Sequence, residues 1–159
     1  MNDVLKINGD RLLEFQLGHE LYAVELLKVR EVITIPETTP IPKAPSHVLG
    51  LMNLRGLVLT VVDLRKRLGI QPHQKQDESA VIVFDLEDRL IGAQVDAIHR
   101  VLVVNQEHIK PVPDGDYGAA QSALKSVIQV GDKLTLWLDV KKLIDQNTGA
   151  PLMKVAQAG

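Results

Sequence analysis

The 159-residue chain contains no cysteine. It therefore forms no disulfide, holds no metal through thiolate and offers no cysteine nucleophile, a composition that fits a reducing compartment. Aromatic residues are also scarce, at 3%: Phe15, Tyr22, Phe84, Tyr117 and Trp137. A platform for stacking single-stranded bases needs several rings on one sheet face, and these are scattered along the chain. No charge of one sign dominates either. Eighteen Lys and Arg stand against twenty Asp and Glu, for a net charge of −2. Without a basic stripe, nucleic acid and anionic membrane surfaces are poor partners. No apolar run approaches ~20 residues, and Met1–Ile7 has no basic stretch leading into an apolar one, so neither a membrane span nor a targeting segment is expected. What is present is 45% hydrophobic and 24% charged residues at a mean hydropathy of +0.04. That is the balance of a soluble globular domain with a real core, and the expected location is the cytoplasm.

The apolar residues fall in short, β-branched runs separated by turn signals. Arg11–Leu17 sets Leu13, Phe15 and Leu17 on one strand face, and Gly18-His19 turns the chain into Glu20–Val24. Ser79–Leu86 and Arg89–Val95 flank Glu87-Asp88, and Ser126–Val130 and Lys133–Leu138 flank Gly131-Asp132, giving two more hairpins. Leu57–Val62 is almost wholly apolar, as in a strand covered on both faces. Helical spacing is confined to short pieces: Leu26, Val29 and Ile33; Leu64 and Leu68; Leu143 and Ile144. The pattern predicts a mainly β barrel or sandwich with short helices.

The chain also repeats itself loosely. Phe15, Leu17, Leu21, Val29 and Val32 recur 69 positions on as Phe84, Leu86, Leu90, Ile98 and Val101. Val62-Asp63-Leu64-Arg65-Lys66 recurs 76 positions on as Leu138-Asp139-Val140-Lys141-Lys142. The echo predicts two similar half-domains, each a small barrel, sharing one core. Pro36–Pro45, with four prolines, cannot be helix or central strand and should run extended over the surface. Ile70–Asp77 and Pro111–Gln121 read as loops, and 147–159 as a tail.

Catalytic and ligand motifs are missing. The five histidines, His19, His47, His73, His99 and His108, include no pair at i, i+4 with a completing carboxylate set. No serine sits in a Gly-x-Ser-x-Gly elbow, and no glycine cluster cradles phosphate. Asp63, Asp96 and Asp139 each follow an apolar strand and read as caps for orphan N–H groups rather than as acids or bases. No enzyme, metal or cofactor is expected. Two local features remain. Asn53-Leu54-Arg55-Gly56 sets a guanidinium before an apolar strand, where it can brace backbone carbonyls or reach a partner's carboxylate. In Lys28-Val29-Arg30-Glu31-Val32, packing Val29 and Val32 inward leaves Glu31 to project.

Taken together these segments resemble the CheW-like family, the coupling proteins of bacterial chemotaxis. The matching residues are Phe15-x-Leu17-Gly18-x-Glu20-x-Tyr22-Ala23-Val24, Val29-x-Glu31-Val32 and Pro42-x-x-Pro45. They continue through Gly50-Leu51-x-Asn53-Leu54-Arg55-Gly56-x-Val58, Val62-Asp63-Leu64-Arg65, Gly92-x-x-Val95-Asp96-x-Ile98 and Leu136-x-Leu138-Asp139. The resemblance spans residues 11–146.

It implies two SH3-like five-stranded β-barrels packed on a shared core. It also implies a non-enzymatic adaptor between the cytoplasmic tips of chemoreceptors and the regulatory domain of a CheA-type histidine kinase, at receptor arrays on the inner face of the membrane. By matching position, Val29, Glu31, Gly50 and Arg55 are the implied partner-binding residues, around a groove between the barrels, while Gly56 serves the turn. One departure is Leu124-Lys125-Ser126-Val127, where the family places a glycine at the position of Ser126; this puts the local backbone in question. The length resembles the stand-alone coupling protein rather than the two-domain CheV type. An adaptor of the same family in type IV pilus motility or surface sensing is an alternative reading. A small β-barrel that binds nucleic acid is a remoter one, opposed by charge and by the scattered rings.

Overall fold

The computed structural model describes residues 10–71 and 78–145. Most of the expected loop Ile70–Asp77, and all of the tail 147–159, lie outside these residues. Eleven strands form two sheets: β1 Asp10–Leu17, β2 Glu20–Glu25, β3 Val29–Thr34, β4 Val48–Leu54, β5 Leu57–Asp63, β6 Ala80–Asp85, β7 Leu90–Val95, β8 Ala97–Val104, β9 Ile109–Lys110, β10 Leu124–Val130 and β11 Lys133–Leu138. Two short helices, α1 Leu64–Leu68 and α2 Val140–Asp145, follow β5 and β11. The first sheet has six strands in the order β8-β1-β2-β11-β10-β9, and the second has five in the order β3-β6-β7-β5-β4. The sixth strand of the first sheet, β9, is only two residues long.

The three expected hairpins form, each within a residue or two of its predicted ends. The internal repeat is real in three dimensions: β1, β2 and β3 correspond to β6, β7 and β8, and β4, β5 and α1 to β10, β11 and α2. The barrels are nevertheless not successive halves of the chain. Each sheet takes its first hairpin from one repeat and its remaining long strands from the other, so the repeats are interlaced. The parallel junctions have matching registers, Leu136 opposite Tyr22 in one sheet and Thr60 opposite Ile91 in the other.

Interlacing gives strands two buried faces. In β1, Leu13, Phe15 and Leu17 enter the core shared by both sheets, which also holds Val62, Ile82, Phe84, Ile91 and Leu143. From the opposite face of β1, Leu12 joins Ala23, Leu102, Val104, Ile128 and Trp137 inside the six-stranded barrel. Met52, Leu54, Leu59, Val61, Val81 and Val83 fill the five-stranded one.

Four expectations need correction. The spacing of Leu26, Val29 and Ile33 does not make a two-turn helix: Leu26–Lys28 is one 3₁₀ turn, and Val29–Thr34 is strand β3. In β3, Val32 therefore faces outward instead of packing inward. The start of β5 is not covered on both faces, since Leu57 and Val58 are 50% and 56% exposed. Asp96 caps no helix: β8 begins at the next residue, and its carboxylate binds Arg65 and the Gly18 N–H instead. Asp63 and Asp139 do cap, accepting N–H groups of α1 and α2.

Candidate functional site

The β4–β5 hairpin closes at Leu54 opposite Leu57, leaving Arg55 and Gly56 as its two-residue loop. Both have positive φ, 49° and 94°, as the right-handed twist of the flanking strands demands of such a loop. Glycine adopts this backbone freely, whereas a side-chain-bearing residue is strained there. Asn53 helps hold the turn, its Oδ1 accepting the Gly56 N–H at 2.8 Å.

From that position the Arg55 guanidinium donates to the Glu31 carboxylate. Glu31 lies on β3. Strands β3 and β4 are the two ends of the five-stranded sheet, so a contact from the β4–β5 turn to β3 spans the sheet's edges and closes the barrel. The Arg55 side chain is 69% exposed and that of Glu31 26%. Glu31 thus projects less freely than the sequence suggests, as half of a surface ion pair. Val32, the residue after Glu31, and Leu57 and Val58, which follow the turn, are exposed.

Val29 and Gly50 belong to the same barrel in different ways. Val29 packs against the shared core and is separated from Glu31 by a bulge at Arg30 in the pairing with β6. Gly50 is buried under the proline-rich segment, which crosses the surface as expected and pairs with β4 through Thr39 and Leu51, N–H to carbonyl, at 2.8 and 2.9 Å. A Cβ on Gly50 would stand 2.3 Å from the Thr39 carbonyl oxygen, and φ there is 142°. Gly50 therefore seats the crossing strap, and its influence on any partner runs through the backbone. Ser126 is its repeat counterpart in β10. It has no positive φ, and its hydroxyl donates to the Lys125 carbonyl at 2.7 Å.

The other barrel presents a related surface. Val101 and Leu134 are the repeat counterparts of Val32 and Val58, and with Val103 and Val130 they are exposed. There Arg100 stands where Glu31 does, and Gly131-Asp132 replaces Arg55-Gly56.

Sequence reasoning missed two buried polar clusters. Arg65 donates from Nε and Nη2 to Asp63 (3.1 and 3.0 Å) and from Nη1 to Asp96 (2.8 Å), and all three residues are buried. Asp63 above all, and then Asp96, raise the Arg65 pKa and fix its charge. Inside the six-stranded barrel, Glu14 is buried. Its Oε2 accepts from the Thr135 hydroxyl at 2.7 Å, and its Oε1 meets His99 Nδ1 at 2.9 Å and Arg100 Nε at 3.2 Å. A bulge in β8 opposite Glu14 brings His99 and Arg100, adjacent in sequence, to one carboxylate. Burial pushes the Glu14 pKa up, but the three partners outweigh it and hold the carboxyl below its ordinary value. Among the described residues no cluster of three or more His, Asp or Glu could hold a metal ion, and no helix is long and apolar enough to cross a membrane.

Comparison with known proteins identifies the family and the fold. A family model described as the CheW-like domain matches residues 11–148. The chain is similar to the chemotaxis protein CheW of Klebsiella aerogenes, 30% identical over 94% of this chain and 90% of that one. It is also 34% identical to the chemotaxis protein CheW of Rhizobium meliloti, over 80% of this chain and 83% of the relative. Among solved structures it is similar to the scaffolding protein TtCheW from Thermoanaerobacter tengcongensis, with a TM-score of 0.78 and 29% identity over 88% of this chain and 95% of that one.

Proposed function

This chain belongs to the CheW-like domain family, and from that premise we infer a chemotaxis coupling adaptor that joins chemoreceptors to a CheA-type histidine kinase. The observation that carries the site assignment is the surface Glu31–Arg55 ion pair, with exposed Val32, Leu57 and Val58 close to its two residues in sequence. Arginine is enriched among the few residues that carry most of an interface's binding energy, and the Arg55 side chain, 69% exposed, is open to a partner. The partner-binding residues of this reading are Val29, Glu31, Gly50 and Arg55. Glu31 and Arg55 meet the partner, Val29 sets the start of β3, and Gly50 seats the strap over β4.

An adaptor needs two surfaces free at once. The related face around exposed Val101 and Leu134, where Arg100 stands in place of Glu31 but is engaged with Glu14, supplies a second. In this reading one surface takes the receptor's cytoplasmic tip and the other the kinase's regulatory domain. The protein works in the cytoplasm, at receptor arrays on the inner face of the membrane, without turnover, metal or nucleotide of its own. Weak individual contacts suffice there, because clustering on receptors can add ~10²–10⁴ in avidity. A titration of the protein with a receptor tip fragment and the kinase regulatory domain tests this. The reading expects one complex containing all three, and strict competition between the two partners overturns it.

A further inference from the structure

The internal repeat sets α1 and α2 in equivalent places, each following the last strand of its repeat and each covering the shared core. One arginine ties each helix to the hairpin of the opposite sheet, and the two ties differ in kind. At α1 the tie is Arg65 itself, buried between Asp63 and Asp96. The other oxygen of Asp96 accepts the N–H of Gly18, in the β1–β2 turn of the six-stranded sheet, at 2.6 Å. The Asp96 N–H in turn donates to the Gln16 carbonyl at 3.0 Å. Gly18 also lies so close to Ile70, two residues past α1, that an added Cβ would meet Ile70 Cγ2 at 2.8 Å.

At α2 the arginine comes from the other side. Arg89, in the β6–β7 hairpin of the five-stranded sheet, bonds Asp145 in the last turn of α2, and Asp88 beside it at 2.8 Å. Asp145 and Asp88 are both exposed, and the buried Arg89 Nε has no hydrogen-bond partner. The cap is thinner too. Asp139 receives one N–H of α2, from Lys142, where Asp63 receives two from α1 as well as the guanidinium. The start of α2 borders an open cleft lined by Glu25, Lys28, Leu138, Asp139, Val140 and Lys141.

Ion pairs with exposed partners are screened by salt, whereas buried ones are screened much less. Local opening of a fold is favoured where solvent-reached bonds hold an element, and α2, although it buries Val140, Leu143 and Ile144, is held to the opposite sheet by such a bond. We propose that α2 is a hatch over the shared core: it undocks ahead of the rest of the fold when the Arg89–Asp145 tie is released, while α1 stays pinned by the Asp63–Arg65–Asp96 triad. Undocking withdraws Val140, Leu143 and Ile144 from a core that both sheets build. The junction between the barrels then becomes reachable from the α2 side alone.

Amide hydrogen exchange of the full chain, followed by mass spectrometry at low salt and in 0.5 M sodium chloride, tests the proposal. In the native protein the segment over α2 exchanges at least about tenfold faster than the segment over α1, a spread within the range that local opening produces. High salt, or Arg89→Gln, widens that gap and leaves the amides of β6 unchanged. Should Arg89→Gln fail to fold, Asp145→Asn and the salt series on the native chain carry the same test. Equal exchange of the two helices, faster exchange at α1, or acceleration spread evenly over both sheets overturns the hatch. Faster α2 exchange that neither salt nor any of these variants moves overturns the release at Arg89.

Discussion

Arg55, held at φ 49° in a turn that favours glycine or asparagine, reaches Glu31, 24 residues earlier in the chain and on the opposite edge of the same sheet. A left-handed backbone at a non-glycine residue costs of order 1–3 kcal/mol, and an exposed ion pair returns only about 0.2–1 kcal/mol. The pair therefore does not account for arginine at this position through stability alone, which is the physical argument for a role in binding.

Arg55→Asn separates the two roles. Asparagine tolerates the turn better than arginine, so the melting temperature should hold or rise slightly. Binding of the partner that uses this face should weaken by about tenfold. A melting temperature several degrees lower, with binding unchanged, makes Arg55 a brace for the barrel and nothing more.

Glu31→Lys places two cations together across the sheet edges. Folding should shift by less than about 1 kcal/mol, because the pair is surface-exposed. Association should slow and its salt dependence change. Stopped-flow association at two ionic strengths measures this directly, and unchanged rates at both would remove Glu31 from the interface.

Gly50 and Ser126 occupy equivalent places in the repeat but tolerate different side chains. Gly50→Ser drives a Cβ into the Thr39 carbonyl and should cost about 3 kcal/mol or more, as strain and lost strap pairing combine. Ser126→Gly should cost no more than roughly 1 kcal/mol, the backbone entropy of a strand glycine. Urea unfolding of both variants checks the contrast, which fails if the two costs are alike.

Glu14 makes stability depend on acid. Its folded pKa lies below the unfolded value, so its contribution is complete above about pH 4.3 and is lost as pH falls through the lower folded value. Glu14→Gln removes hydrogen bonds to a buried charge and should destabilise by about 2–3 kcal/mol at pH 7. The gap between native protein and variant should close as pH drops below the unfolded value. Denaturant melts from pH 7 to pH 3 measure it, and a gap that stays constant contradicts the charged state of Glu14.

The hairpins and the repeat were legible because strand alternation and the turn pairs Gly18-His19, Glu87-Asp88 and Gly131-Asp132 are local signals. Strand β3 was not. Val29 and Ile33 are four apart, a spacing that an alternating strand shares with a helix face, and Leu26, in the 3₁₀ turn before β3, completes the helical pattern. Glu14 was hidden for another reason. In a strand with Leu13, Phe15 and Leu17 inward, the residue between them reads as solvent-facing, but interlaced barrels bury both faces of β1. Asp96 resembled the helix caps Asp63 and Asp139 because all three end apolar strands, and only the fold shows that β8 follows it directly. The meeting of Glu31 with Arg55 came from family resemblance for the residues and from topology for the contact. Nothing local in either segment announces it.

The adaptor reading stands or falls on simultaneous occupancy. Sedimentation of the native protein mixed with a receptor tip fragment and the regulatory domain of a CheA-type kinase measures it most directly. The account predicts a species containing all three components, and Arg55→Asn that binds one partner about tenfold more weakly while retaining the other. Two binary complexes that exclude each other at every ratio would contradict it.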